Sequence, residues 1–111
     1  MKTEIEIYQI NKVTTKLSKW FNNKNMICSQ ILINYLKLEE KYDSVDYDVL
    51  AEKCKNIKTF QSNFDQMKNF GEKNHGKIFE ILDSKIKLWK PVKNEVYIEY
   101  KKFKKVNGSE L

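Results

Sequence analysis

Few residues in this chain have side chains suited to covalent or metal chemistry, and their spacing argues against both. His75 is the single histidine, and Cys28 and Cys54 are the two cysteines. A zinc site needs about four nitrogen or sulfur ligands, usually with close-spaced pairs. These three residues instead fall on three separate predicted elements. A reactive thiolate needs a basic or dipolar setting and a partner base. Cys28 stands near the start of a predicted helix, a position that would lower its pKa, yet no histidine is near it in sequence. It reads as a core residue. No glycine-rich phosphate loop and no paired-carboxylate motif occurs. The expectation is therefore no catalytic residue, no metal and no cofactor. His75 and Gly76 read as shaping a turn, with a phosphate contact as the alternative for His75.

Charge is the stronger chemical signal. The net charge is +6, and clustered cations gain affinity for polyanions by releasing counterions from phosphates. Lysines outnumber acids from Lys68 to Lys105, whereas the stretch from Glu39 to Asp48 is acidic, so the basic surface is expected on one side. All 21 basic residues are lysine. Bidentate arginine–guanine pairing, the commonest specific base contact, is thus closed to this chain. The lysine bias, with abundant Asn, Ile and Tyr, also fits an AT-rich coding sequence.

At 111 residues the chain has room for one compact core, and one domain over 1–106 with a flexible tail at 107–111 is expected. Hydrophobic residues make up 41% and charged residues 32%, a globular balance. No apolar run approaches the ~20 residues of a membrane helix, and Lys2, Glu4 and Glu6 interrupt any signal-like core. Two distant cysteines make no disulfide framework. These features point to a soluble cytoplasmic protein.

The elements that must position any site follow from periodicity. Ile10, Val13, Leu17, Trp20 and Phe21 form one helical stripe over Glu4 to Asn22. Asn25 is the expected N-cap of a second helix, with Ile27, Ile31, Leu32, Tyr35, Leu36 and Leu38 covering much of its circumference. Asp46 is expected to cap a short third helix, Tyr47 to Lys55, with Val45 and Leu50 as a hydrophobic staple. A fourth helix, 58–70, buries Phe60, Phe64 and Met67 and ends at a Gly71 cap. Alternation then predicts a hairpin over 77–89, with Phe79 and Ile81 opposite Ile86 and Leu88 and a turn at Leu82-Asp83-Ser84. Pro91 ends the hairpin, and Asn94 caps a last helix carrying Val96, Tyr97, Tyr100 and Phe103. Trp89 is expected to pack under that helix or to lie in a dimer interface.

This order of about five helices and one hairpin, mainly α with a small β-hairpin, resembles the winged helix-turn-helix fold from Ile5 to Phe103. The resemblance implies duplex DNA binding by a small transcriptional regulator. The fourth helix would enter the major groove, and the hairpin would act as the wing. The implied contacts are Lys58, Thr59, Gln61, Ser62, Asn63, Gln66 and Lys68 on the helix, His75 and Lys77 before the hairpin, and Lys85 and Lys87 on it. Amide and hydroxyl side chains suit base edges, adenine in particular, and lysines suit phosphates. Asp65 would repel phosphates unless it accepts from cytosine or holds a lysine. The same residue types also make an ordinary solvated helix face, and lysines also protect a sheet edge. The resemblance further implies homodimers through the first or last helix; on the first, Tyr8 and either Ile5 or Ile7 lie outside the main stripe. Winged domains also bind proteins, and the acidic residues Glu39, Glu40, Asp43, Asp46 and Asp48 keep open a protein-interaction module, either a subunit adaptor or a phage- or plasmid-encoded inhibitor of a nucleic-acid enzyme. Single-stranded RNA binding ranks last, because a lone hairpin offers little stacking surface.

Overall fold

The fold is that of a computed structural model, which describes residues 3–71 and 73–107. It begins with helix α1, Glu4–Asn22, whose N-cap Thr3 accepts the Glu6 N–H at 3.1 Å. The Thr-x-x-Glu spacing is that of a capping box. The inner stripe of α1 is Gln9, Val13, Leu17, Trp20 and Phe21. Gln9 takes the place expected for Ile10, which is half-buried. Its Oε1 is buried without a hydrogen-bond partner among the described residues.

Helix α2, Ile27–Lys41, buries eight residues and forms the centre of the core. Its N-cap is Met26 and not the expected Asn25, because a tight turn closed by Met26 N–H on the Asn23 carbonyl absorbs residue 25. Strand β1, Val45–Asp46, follows and is the element the sequence left unread. Two residues are too short to show alternation. Asp46 does precede helix α3, Tyr47–Lys53, but caps it with no side-chain bond. Its carboxylate instead accepts from Lys85 at 2.6 Å, across the strand pair.

Helix α4 covers Phe60–Lys68, shorter than the expected 58–70, and Gly71 does not cap it. The chain leaves at Asn69 in an extended conformation, and the returning segment serves the helix's terminal carbonyls. Gly76 N–H reaches the Gln66 carbonyl at 3.4 Å, Ile78 N–H reaches that of Met67 at 2.7 Å, and the Lys77 amine reaches that of Lys68 at 2.8 Å. The orphan acceptors of a helix end are thereby satisfied without a glycine cap.

Strands β2, Phe79–Leu82, and β3, Lys85–Leu88, form an antiparallel hairpin. Leu82 pairs with Lys85, so the turn is Asp83-Ser84 alone, at φ 51° and 68°. Positive φ at both positions matches the twist of a two-residue hairpin. Strand β1 adds to β3, giving a three-stranded antiparallel sheet in the order β1-β3-β2. Helix α5, Lys90–Asn107, starts before the expected Asn94 cap and takes Pro91 into its first turn, where a missing N–H removes no helical bond. Val106 and Asn107 belong to this helix; residues 108–111 of the expected tail lie outside the described residues.

One cluster of buried side chains draws on every helix and strand. Its seam is aromatic: Phe79 lies 5.1 Å from Tyr35 and 5.2 Å from Phe64, and Phe64 lies 5.3 Å from Tyr47, ring centre to ring centre. That seam ties α2, α3 and α4 to the sheet. The molecule is thus mainly helical with a small antiparallel sheet.

Candidate nucleic-acid interface

Helix α4 carries the residues singled out from the sequence, and its two faces differ sharply. Phe60, Phe64 and Met67 are buried, while Lys58, Thr59, Gln61 and Ser62 are exposed at its start. Lys58 and Gln61 make no side-chain hydrogen bond or ion pair among the described residues, which leaves their polar atoms to solvent or a ligand. Ser62 donates to the Thr59 carbonyl at 3.2 Å, one turn back.

Asn63 is differently placed. Its Nδ2 donates to the Thr59 carbonyl and hydroxyl, both at 2.9 Å, and its Oδ1 meets His75 Nε2 at 2.8 Å. Both of its polar ends are therefore engaged inside the molecule. Burial, followed by the charges of Lys16 and Lys12, holds the His75 imidazole below its usual range, so the ring is neutral at pH 7. With Asn63 Nδ2 already donating, the neutral ring donates from Nε2 to Oδ1.

The segment after α4 is tied down by lysines from two directions. Lys77 donates to the Lys68 carbonyl and lies 5.7 Å from the Phe70 ring centre and 5.8 Å from that of Trp89. Its ammonium is pushed below the ordinary lysine range by burial. From α1, Lys12 donates to the Gly71 carbonyl at 2.9 Å and Lys16 to the His75 carbonyl at 3.3 Å. The structure thus gathers Asn63, Gln66, Lys68, His75 and Lys77 at the C-terminal half of α4. It adds Lys12 and Lys16, which sequence reasoning missed because nothing in their spacing indicates which loop they meet.

The hairpin lysines make no bond to that cluster among the described residues. Lys85 pairs with Asp46, and Lys87 is exposed with Glu80 as its cross-strand partner. Lys68 lies 3.7 Å from Asp65, so Asp65 does hold a neighbouring lysine.

The acidic stretch is largely spent on internal bonds. Glu39 accepts from Tyr35 at 2.6 Å and from Tyr97, while Glu40 accepts from Tyr100 and from Lys104 at 3.1 Å. Burial and these carboxylates together hold the phenols of Tyr35, Tyr97 and Tyr100 well above their ordinary pKa. Only Asp43 and Asp48 of the stretch lack a side-chain partner among the described residues.

Trp89 is 7% exposed and meets Phe70 edge-on at 5.4 Å, so it is packed. Both thiols are buried, and burial raises the pKa of each. The lowering expected for Cys28 near a helix start is outweighed by desolvation. Among the described residues no group of three or more His, Cys, Asp or Glu could hold a metal ion, and no helix is long and apolar enough to cross a membrane. Comparison with family models, with curated proteins and with solved structures gave no match.

Proposed function

We propose that the chain is a winged helix-turn-helix protein that binds duplex DNA with sequence preference, as a small cytoplasmic transcriptional regulator. Helix α4 would enter the major groove, and the β2–β3 hairpin would serve as the wing. The observation that carries the reading is the exposed polar start of α4, where Lys58 and Gln61 have no side-chain partner among the described residues, on a helix whose other face is locked into the core. The order α2, β1, α3, α4, β2, β3, with β1 added to the hairpin, supports the fold assignment. Fold alone does not carry function, so the reading rests on that face. Without arginine, the favoured site contains A·T pairs, read by Gln61 and Ser62.

The test is fluorescence anisotropy on random and selected duplexes across a salt series. Gln61→Ala with Ser62→Ala is expected to reduce discrimination between sequences and leave nonspecific binding intact. Lys85→Gln with Lys87→Gln is expected to weaken all sequences alike and to reduce the salt slope by about one for each lysine taken off a phosphate. No binding at low salt rejects the reading. Dimerisation through α1, on the exposed Ile5, Ile7 and Tyr8, belongs to the same proposal; a strictly monomeric mass in concentrated sedimentation runs removes that part.

A protein-interaction module is the second reading, and the hairpin favours it. Lys85 is neutralised by Asp46, Lys87 faces Glu80, and Ile81 and Leu82 are 39% and 68% exposed. A stable partner recovered after nuclease treatment, and released by Leu82→Asp, would support it over DNA binding.

A further inference from the structure

A cleft of about 370 Å³ opens between α2 and the end of α5, on residues that the DNA-binding reading does not use. Its polar walls are Lys24, Asn25, Gln30, Asn34, Lys37 and Asn107. Two lysines and four carboxamides line it, and no carboxylate does. Lys24 and Lys37 make no ion pair at contact distance among the described residues; Glu40, whose carboxyl feels the Lys37 charge, is itself bonded by Tyr100 and Lys104.

The carboxamides are partly anchored. Gln30 donates to the Asn25 carbonyl at 2.7 Å, Asn34 to the Cys54 sulfur at 3.4 Å, and Asn107 to the Phe103 carbonyl at 2.8 Å. Each NH2 group therefore keeps a second N–H, and the side-chain oxygens of Gln30, Asn34 and Asn107 accept no hydrogen bond among the described residues. Anchored amides present fixed donor and acceptor pairs, which suit a ligand body with alternating polar edges such as a nucleobase or a sugar. Unpaired lysines suit a phosphate. The volume falls at the lower end of small-molecule sites, which run from roughly 300 Å³ upward.

We propose that this cleft binds a phosphate-bearing ligand of mononucleotide size. Lys24 and Lys37 hold the phosphate, and Gln30, Asn34 and Asn107 hydrogen-bond the body. The proposal does not rest on DNA binding, and its test is read in the absence of DNA.

The experiment is a titration of the full chain with AMP, adenosine, ribose 5-phosphate and inorganic phosphate, followed by side-chain amide NMR signals. AMP is expected to shift the NH2 resonances of Gln30, Asn34 and Asn107 in a saturable way. Adenosine and inorganic phosphate are each expected to bind at least about tenfold more weakly, since each lacks one half of the interactions. Tighter binding of ribose 5-phosphate than of AMP assigns the body as a sugar within the same proposal. Lys24→Gln and Lys37→Gln, both on polar surface, are expected to weaken AMP by several-fold each with an unchanged amide spectrum elsewhere. Equal affinity for inorganic phosphate, or shifts scattered over lysines outside the cleft, overturns the proposal. So does AMP binding that is indifferent to Lys37→Gln.

Discussion

His75 ties the loop after α4 to that helix through Asn63 and to α1 through its carbonyl, which accepts from Lys16. Its folded pKa is depressed by burial first and by Lys16 and Lys12 after it. Below its unfolded pKa of about 6.5, the unfolded chain therefore binds more protons than the folded one, and stability falls as pH drops through that window. The midpoint of thermal unfolding is expected to decline between pH 7 and 5, with a shallower decline in His75→Gln. An equal decline in the variant would assign it to other groups. Glu40 acts at lower pH, because its depressed pKa, caused mainly by the Tyr100 bond, adds stability above its ordinary carboxylate range that is lost on acidification. Beside His75, Gly76 sits at φ +136° against Val13; an added Cβ would stand 2.9 Å from Val13 Cγ2. Gly76→Ala is expected to lower stability by about 1–3 kcal/mol in urea denaturation.

Among the elements, the hairpin and α5 are held by different means. The hairpin turns on Asp83 and Ser84, both in the left-handed region. A side chain there costs about 1 kcal/mol relative to glycine, so Ser84→Gly is expected to raise the unfolding midpoint, provided the Ser84 carbonyl keeps its bond from Tyr47 N–H at 2.8 Å. Helix α5 is fastened to the end of α2 by phenol–carboxylate bonds, Tyr97 to Glu39 and Tyr100 to Glu40. Removing either hydroxyl leaves a carboxylate with one donor fewer. Tyr97→Phe and Tyr100→Phe are each expected to cost about 1–2 kcal/mol in denaturant unfolding, and no loss in either variant would show that water replaces the phenol. The raised phenol pKa values mean that the folded state favours the neutral form, so stability falls as pH rises above about 10.

Over the whole molecule, the aromatic seam couples the helices to the sheet. Phe64, fully buried, touches the rings of Tyr47, Phe60 and Phe79. Phe64→Ala is expected to cost about 3–5 kcal/mol, a large part of the roughly 5–15 kcal/mol typical of a domain, and to show as a lower urea midpoint. The same coupling fixes what α4 can present. Because Phe60, Phe64 and Met67 are locked inward, Lys58, Gln61 and Ser62 are held outward. Asn63, one residue further, is turned toward His75.

Local pattern was sufficient wherever an element's own periodicity decides its burial. The stripe of α1, the broad apolar surface of α2, the inward face of α4 and the pairing of Phe79 and Leu88 were all legible, because 3.6-residue and two-residue periods are properties of the chain itself. Boundaries were less so: α4 ends early and α5 starts early because the returning 76–78 segment and the tolerance of Pro91 in a first turn decide them. Strand β1 was invisible, since two residues become a strand only when β3 lies beside them. Tertiary structure alone also decided which charges remain free. It spent Glu39 and Glu40 on tyrosines, Asp46 on Lys85, Asn63 on His75 and Lys77 on a helix end. Tyr35 and Glu39 stand one helical turn apart, within reach of a spacing rule; the other pairs join residues from 12 to 60 positions apart, or close a helix end, and no spacing rule reaches across such distances.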